Sequence, residues 1–108
     1  MNNYQIDRKR WGQMTILEQM GNIGSEVGRA IAAKRHNDDE RMDSSIYRAL
    51  DLFDATTEFL VANKSPRTKE VLRARDQFLS LFYNNTFEDA DNIENYFMQY
   101  ALAARNKL

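Results

Sequence analysis

Apolar residues recur along most of this chain at steps of three and four, the spacing that places them on one side of a helix. Ile16, Met20, Ile23, Val27 and Ile31 form the first stripe. It opens at Thr15-Ile16-Leu17-Glu18, a capping box in which the threonine accepts from the first turn and the glutamate reaches back. This pattern predicts a helix from Thr15 to about Arg35. A second stripe, Met42, Ile46, Ala49, Leu50, Phe53, Thr57, Leu60 and Val61, follows the acidic start Asn37-Asp38-Asp39-Glu40, where the helix dipole favours carboxylates. Ser65-Pro66 reads as a cap and a first helical residue that needs no amide donor, predicting a third helix to Tyr83 with Val71, Leu72, Phe78, Leu79 and Phe82 inward. After the turn-like Asn84-Asn85-Thr86-Phe87-Glu88, a cap at Asp89 or Asp91 starts a fourth, with Ile93, Phe97, Tyr100, Ala101 and Ala104 inward.

No segment alternates with the period of two that a strand requires. Four helices with one apolar stripe each bury those stripes by packing on one another, so the expected fold is all-α: an antiparallel, up-down-up-down four-helix bundle. The 108 residues make one domain, with residues 1–14 as an N-terminal extension. No apolar run reaches membrane length. The absence of cysteine removes disulfides, thiolate metal sites and a Cys nucleophile, and it fits a cytoplasmic location.

Glycines interrupt the first helix where helix propensity opposes them. Each costs roughly 0.5–1 kcal/mol relative to alanine in a helix interior. Gly24, Gly28 and Ala32 lie four apart beside the apolar stripe, which predicts close approach of another helix, within the chain or from another subunit. The run lacks the spacings of a phosphate-binding glycine loop.

Charge is nearly balanced, with 15 Lys+Arg against 16 Asp+Glu, so bulk attraction to polyanions is excluded. Its distribution is uneven. An up-down-up-down course gathers Arg8, Lys9, Arg10, Lys64, Arg67, Lys69, Arg105 and Lys107 at one end, a candidate anion-binding surface. The other end collects Asp38, Asp39, Glu40, Asp43, Glu88, Asp89, Asp91 and Glu94, diluted by Lys34, Arg35 and Arg41. Arg75 falls within the third apolar stripe, where an unpaired guanidinium is costly, so it either snorkels to the bundle edge, pairs with Asp51, Asp54 or Glu58, or binds an anion.

Chemistry has few anchors. The single histidine, His36, follows Arg29 with the Arg-(x4–6)-His spacing of the HEPN ribonucleases, although a cationic imidazole is favoured at a helix end in any case. One histidine cannot supply the paired Glu-x-x-His motifs of a di-iron bundle, and no nucleophile motif accompanies it, so neither a metal nor a cofactor is expected.

The helix Asn22-Ile23-Gly24-Ser25-Glu26-Val27-Gly28, a polar connector, then Arg48-Ala49-Leu50-Asp51-Leu52 and Glu58-Phe59-Leu60-Val61-Ala62 resemble the small bacterial four-helix-bundle proteins encoded in 23S rRNA intervening sequences, and their relatives that accompany the reverse transcriptase of diversity-generating retroelements. The resemblance runs from Gln19 to Ala62. It implies an antiparallel four-helix bundle, commonly a homopentamer, with a nucleic-acid role in the retroelement members.

Two apolar pairs stand away from the main stripes, Leu52 with Phe59 and Met98 with Leu102, and each pair shares one helical face. They point to a non-enzymatic, self-associating module that meets copies of itself or a protein partner. The alternative is a nucleic-acid-associated accessory protein using the basic end, with the Arg29/His36 ribonuclease third. Opposite charge at the two ends adds a salt-sensitive, head-to-tail route of association.

Overall fold

The computed structural model describes residues 6–106, and within them every regular element is helical. A short α1 (Arg8–Trp11) precedes four long helices, α2 (Ile16–Arg35), α3 (Asp39–Ala62), α4 (Thr68–Tyr83) and α5 (Ala90–Arg105), with a 3-10 turn at Phe87–Asp89 before the last. Lys107 lies outside the described residues.

Local chemistry sets these limits. Thr15 and Glu18 form the reciprocal capping box at the start of α2, and those hydrogen bonds hold the Glu18 carboxyl below its ordinary pKa. Helix α3 starts one residue later than the sequence suggests, because it is the Asp38 side chain that accepts from Arg41 N–H. Helix α4 starts at Thr68 rather than Pro66. Ser65 does act as a cap, but for a turn: its hydroxyl accepts from Arg67 N–H at 3.1 Å, while Thr68 donates back to the Ser65 carbonyl. Of the two cap positions offered for the last helix, Asp89 stands at the start of α5, while Asp91, with Glu94, reaches Arg35 at the end of α2, at 2.7 and 2.9 Å. The connectors after α2 and α3 turn through left-handed residues, Asn37 (φ 57°) and Lys64 (φ 52°), with the next amide returning to the carbonyl five residues earlier.

Side-chain pairs fix which parts of the helices meet. Gln19 near the start of α2 reaches Thr56 near the end of α3, and Glu26 reaches Arg48. The start of α2 also faces the end of α5, Gly21 against Ala101 and Gly24 against Phe97, while Arg35 meets the start of α5. Glu70 early in α4 meets Tyr100 late in α5. One end of the molecule therefore holds the start of α2, the α3–α4 connector and the end of α5, and the other holds the α2–α3 connector and the start of α5.

The core is a continuous cluster in which Phe53 of α3, Phe78 of α4 and Phe97 of α5 meet at ring separations near 6 Å, with Met20, Ile23, Val27 and Ile31 of α2 against them. Helix α1 belongs to this core, which was not foreseen for the N-terminal extension. Trp11 is buried, its indole N–H donates to Thr56 Oγ1 at 2.9 Å, Thr56 donates to Gln19 Oε1 at 2.9 Å, and Gln19 Nε2 returns to the Trp11 and Met14 carbonyls. A closed ring of this kind satisfies the fully buried amide and hydroxyl, which would otherwise each cost roughly 1–3 kcal/mol.

Three inward assignments shift. Thr56 rather than Thr57 is the buried threonine of α3, and Val61 and Leu72 are exposed, with Ala74 and Leu81 buried on α4. Leu52 belongs to the core at 5% exposure, and Phe59 is half-buried against it, because α3 is packed on three sides by α1, α2 and α4. The Leu52/Phe59 flank is therefore occupied within the chain. Met98 and Leu102 stay outside, at 57% and 48% exposure.

Candidate functional site

The glycine run of α2 divides into a closed half and an open half. A Cβ placed on Gly24 would lie 2.8 Å from Phe97 Cβ, and one on Gly21 would lie 3.4 Å from Ala101 Cα, so α5 crosses α2 at these residues with no room for a side chain at Gly24. Gly28, four residues on, would meet nothing within 4 Å. The close approach expected at Gly28 is absent within the chain, although α5 stays beside α2 as far as the pairs of Arg35 with Asp91 and Glu94. What remains is a shallow groove of about 240 Å³ lined by Gly24, Ser25, Gly28, Glu94, Phe97 and Met98. Met98 stands at its rim, and Leu102 continues the same face of α5 one turn on. Ala32 is exposed on the other side of α2 and does not share this groove.

Ala32 lines instead a larger groove between α2 and α3, about 610 Å³, together with Arg29, His36, Arg41, Ser44 and Arg48. The structure thus brings Arg29 and His36 to one surface. The charges there are matched. Arg29 and Arg48 flank the Glu26 carboxylate, Arg48 at 3.7 Å, and Arg41 lies 3.5 Å from Asp38. Glu26 Oε2 is buried without a hydrogen bond, leaving its negative charge to the two guanidiniums. Among the described residues no group of three or more His, Cys, Asp or Glu is assembled in a way that could hold a metal ion.

Two of the predicted anion-binding residues, Arg8 and Arg75, are already paired with carboxylates. Arg8 is committed to α3, 3.9 Å from Asp51 and 3.4 Å from Glu58. Arg75 emerges at the edge of the α3–α4 contact, 3.9 Å from both Asp54 and Asp76. Lys9, Arg10, Lys64, Arg67, Lys69 and Arg105 are exposed and form no ion pair among the described residues.

Beside Arg67, a cluster that sequence pattern did not single out joins α4 to α5. Glu70 accepts from both Tyr96 and Tyr100 hydroxyls, which also lie 2.9 Å from each other. The Tyr100 and Tyr96 hydroxyls hold the Glu70 carboxyl below its usual pKa, and burial, reinforced by Glu70, pushes both phenols up. The only hint in the sequence is that Tyr96 and Tyr100 stand four apart and so share a helical face. At the opposite end Tyr47 and Tyr83 are exposed at 62% and 63%. Burial, with Asp43 and Tyr47 alongside, raises the Tyr83 phenol.

Compared with known proteins, the chain matches no family model, no curated protein and no solved structure. Among the described residues no helix is long and apolar enough to cross a membrane.

Proposed function

We propose that this protein is a non-enzymatic, self-associating module, an antiparallel four-helix bundle whose copies meet across the α2–α5 face. The observation that carries this reading is the contrast within α2: Gly24 is required by Phe97, but a Cβ added at Gly28 would meet nothing within 4 Å in its own chain. A glycine in the open middle of a helix lowers stability without return unless something else approaches it. The same face carries both halves of a contact, a shallow small-residue trough and the exposed Met98 and Leu102 beside it. A surface bearing knob and hole together is self-complementary, which is what a two-fold interface between identical chains requires. Met98 adds a flexible side chain that fills irregular gaps.

Sedimentation velocity across a micromolar concentration series tests this. The expected result is a species heavier than the 12.7 kDa chain. Gly28→Leu should shift it to monomer with its helical circular dichroism intact, since a Cβ there meets nothing within 4 Å and the rest of the leucine has the groove to occupy. A wild-type protein that stays monomeric, or a Gly28→Leu variant that assembles unchanged, removes the reading.

A further inference from the structure

We propose that the basic end of the molecule is a docking surface for the acidic end of a second copy, giving an end-to-end association that does not rest on the α2–α5 face. The argument concerns which charges remain available. At the basic end the acids are all engaged inside the chain: Asp7 caps α1, Glu18 closes the α2 capping box, Glu58 pairs with Arg8, and Glu70 is held by two tyrosine hydroxyls. The cations there, Lys9, Arg10, Lys64, Arg67, Lys69 and Arg105, are exposed with no ion pair among the described residues.

The other end is the mirror image. Its cations are the engaged ones: Arg35 is gripped by Asp91 and Glu94, Arg41 lies against Asp38, and Lys34 sits 5.2 Å from the centre of the Phe87 ring. Asp39, Glu40, Asp43, Glu88 and Asp89 are exposed and form no ion pair among the described residues. At each end the minority charges are thus engaged within the chain, while the majority charges are left exposed and outside ion pairs among the described residues. Helix dipoles alone account for acids in the first turns of α3 and α5, but not for Asp43, nor for the basic surplus at the far end. The exposed rings of Tyr47 and Tyr83 lie with Asp43 at the acidic end, where an arriving guanidinium or ammonium can rest on an aromatic face as well as meet a carboxylate. Because the two surfaces differ, the contact is head-to-tail and does not close on itself as a two-fold contact does.

The test is a charge swap read by sedimentation at low and high salt. One variant carries Arg67→Glu, Lys69→Glu and Arg105→Glu, and the other Asp43→Lys, Glu88→Lys and Asp89→Lys, all at exposed positions outside ion pairs. The wild type is expected to show association at low salt that weakens as the Debye length falls to about 8 Å at physiological ionic strength. Each variant alone should lose it by at least about tenfold in dissociation constant, since its ends then repel. A one-to-one mixture of the two variants should recover it. Gly28→Leu should leave this salt-sensitive component in place, which separates it from the α2–α5 contact. In the Gly28→Leu background, salt-sensitive association that survives in either charge variant, or that the mixture fails to recover, overturns the proposal. So does an acid-substituted basic end that loses only retention of a single-stranded RNA oligonucleotide while self-association stays unchanged.

Discussion

Helix α5 is held on its two sides by opposite means. Against α2 it lies on glycine, with Phe97 Cβ where a Gly24 side chain would be and Ala101 on Gly21. Against α4 it is joined at its surface by a carboxylate shared between two phenols, Glu70 with Tyr96 and Tyr100, and farther along the same seam opens a polar groove of about 470 Å³ that includes Asp76, Gln77, Ser80 and Asn92. The glycine crossing itself is steric, insensitive to pH and salt, and intolerant of a single added carbon at Gly24, while farther along the same helix pair Arg35 is ion-paired with Asp91 and Glu94. The second is directional and titratable, and it tolerates substitution because solvent replaces what is lost. The asymmetry assigns α5 primarily to α2, with α4 as the more loosely joined neighbour.

The largest effect follows from the steric side. Gly24→Ala places a Cβ 2.8 Å from Phe97 Cβ, an atom fixed to its own backbone in a buried ring cluster with Phe53 and Tyr96. Relief requires α5 to move, and overpacking of this kind costs about 1–3 kcal/mol. Thermal denaturation should show a melting temperature lower by about 4–8 °C for each kcal/mol lost. An unchanged melting temperature would break the contrast, since α5 would then not be fixed by close approach to α2. The same substitution at Gly28 should act in the opposite direction. With nothing within 4 Å of the new Cβ, Gly28→Ala gains helix propensity of about 0.5–1 kcal/mol. This gain applies to the dilute monomer, measured by chemical denaturation well below the concentration at which copies associate.

What the sequence disclosed follows the same division between local and non-local causes. Helix starts were legible where a side chain caps its own backbone, as at Thr15 and to within one residue at Asp38. At α5 the start falls at the first of the two expected positions, Asp89, while Asp91 and Glu94 are drawn to Arg35. Two helix ends, Arg35 and Tyr83, fall where the apolar patterns stop, although no glycine marks the turns that follow α2 and α3, where Asn37 and Lys64 take the left-handed position. Glycine spacing flagged the α2–α5 contact but could not separate Gly24 from Gly28, because that depends on which residue of α5 stands opposite each, Phe97 at Gly24 and nothing within 4 Å at Gly28. Leu52 looked peripheral because nothing in its periodicity reveals α1 packed on α3, and Trp11 gave no stripe of its own to place it in the core. The tyrosine clasp was hidden for a related reason: Tyr100 reads as an apolar position until Glu70, thirty residues earlier, is seen beneath its hydroxyl.

The smallest effect concerns that clasp and its dependence on pH. Hydrogen bonds from Tyr100 and Tyr96 stabilise the ionised form of Glu70 and depress its folded pKa below that of the unfolded chain. A group shifted in this direction contributes stability that is present above its unfolded pKa, about 4.3, and is lost as pH falls through the folded value. The carboxylate is at the surface, so solvent screening limits the contribution to a few tenths of a kcal/mol. Denaturant midpoints measured from pH 6 down to pH 3 should therefore converge between the wild type and Glu70→Gln, with the wild type ahead only at the upper end. The glutamine still accepts a hydrogen bond but does not titrate, so the convergence isolates the charge from the geometry. Gly24 and Phe97 supply an internal control, because neither side of that contact ionises and the stability difference between wild type and Gly24→Ala should stay constant over the same range. A Glu70→Gln difference that is flat with pH would show that the α4 seam draws nothing from the Glu70 charge.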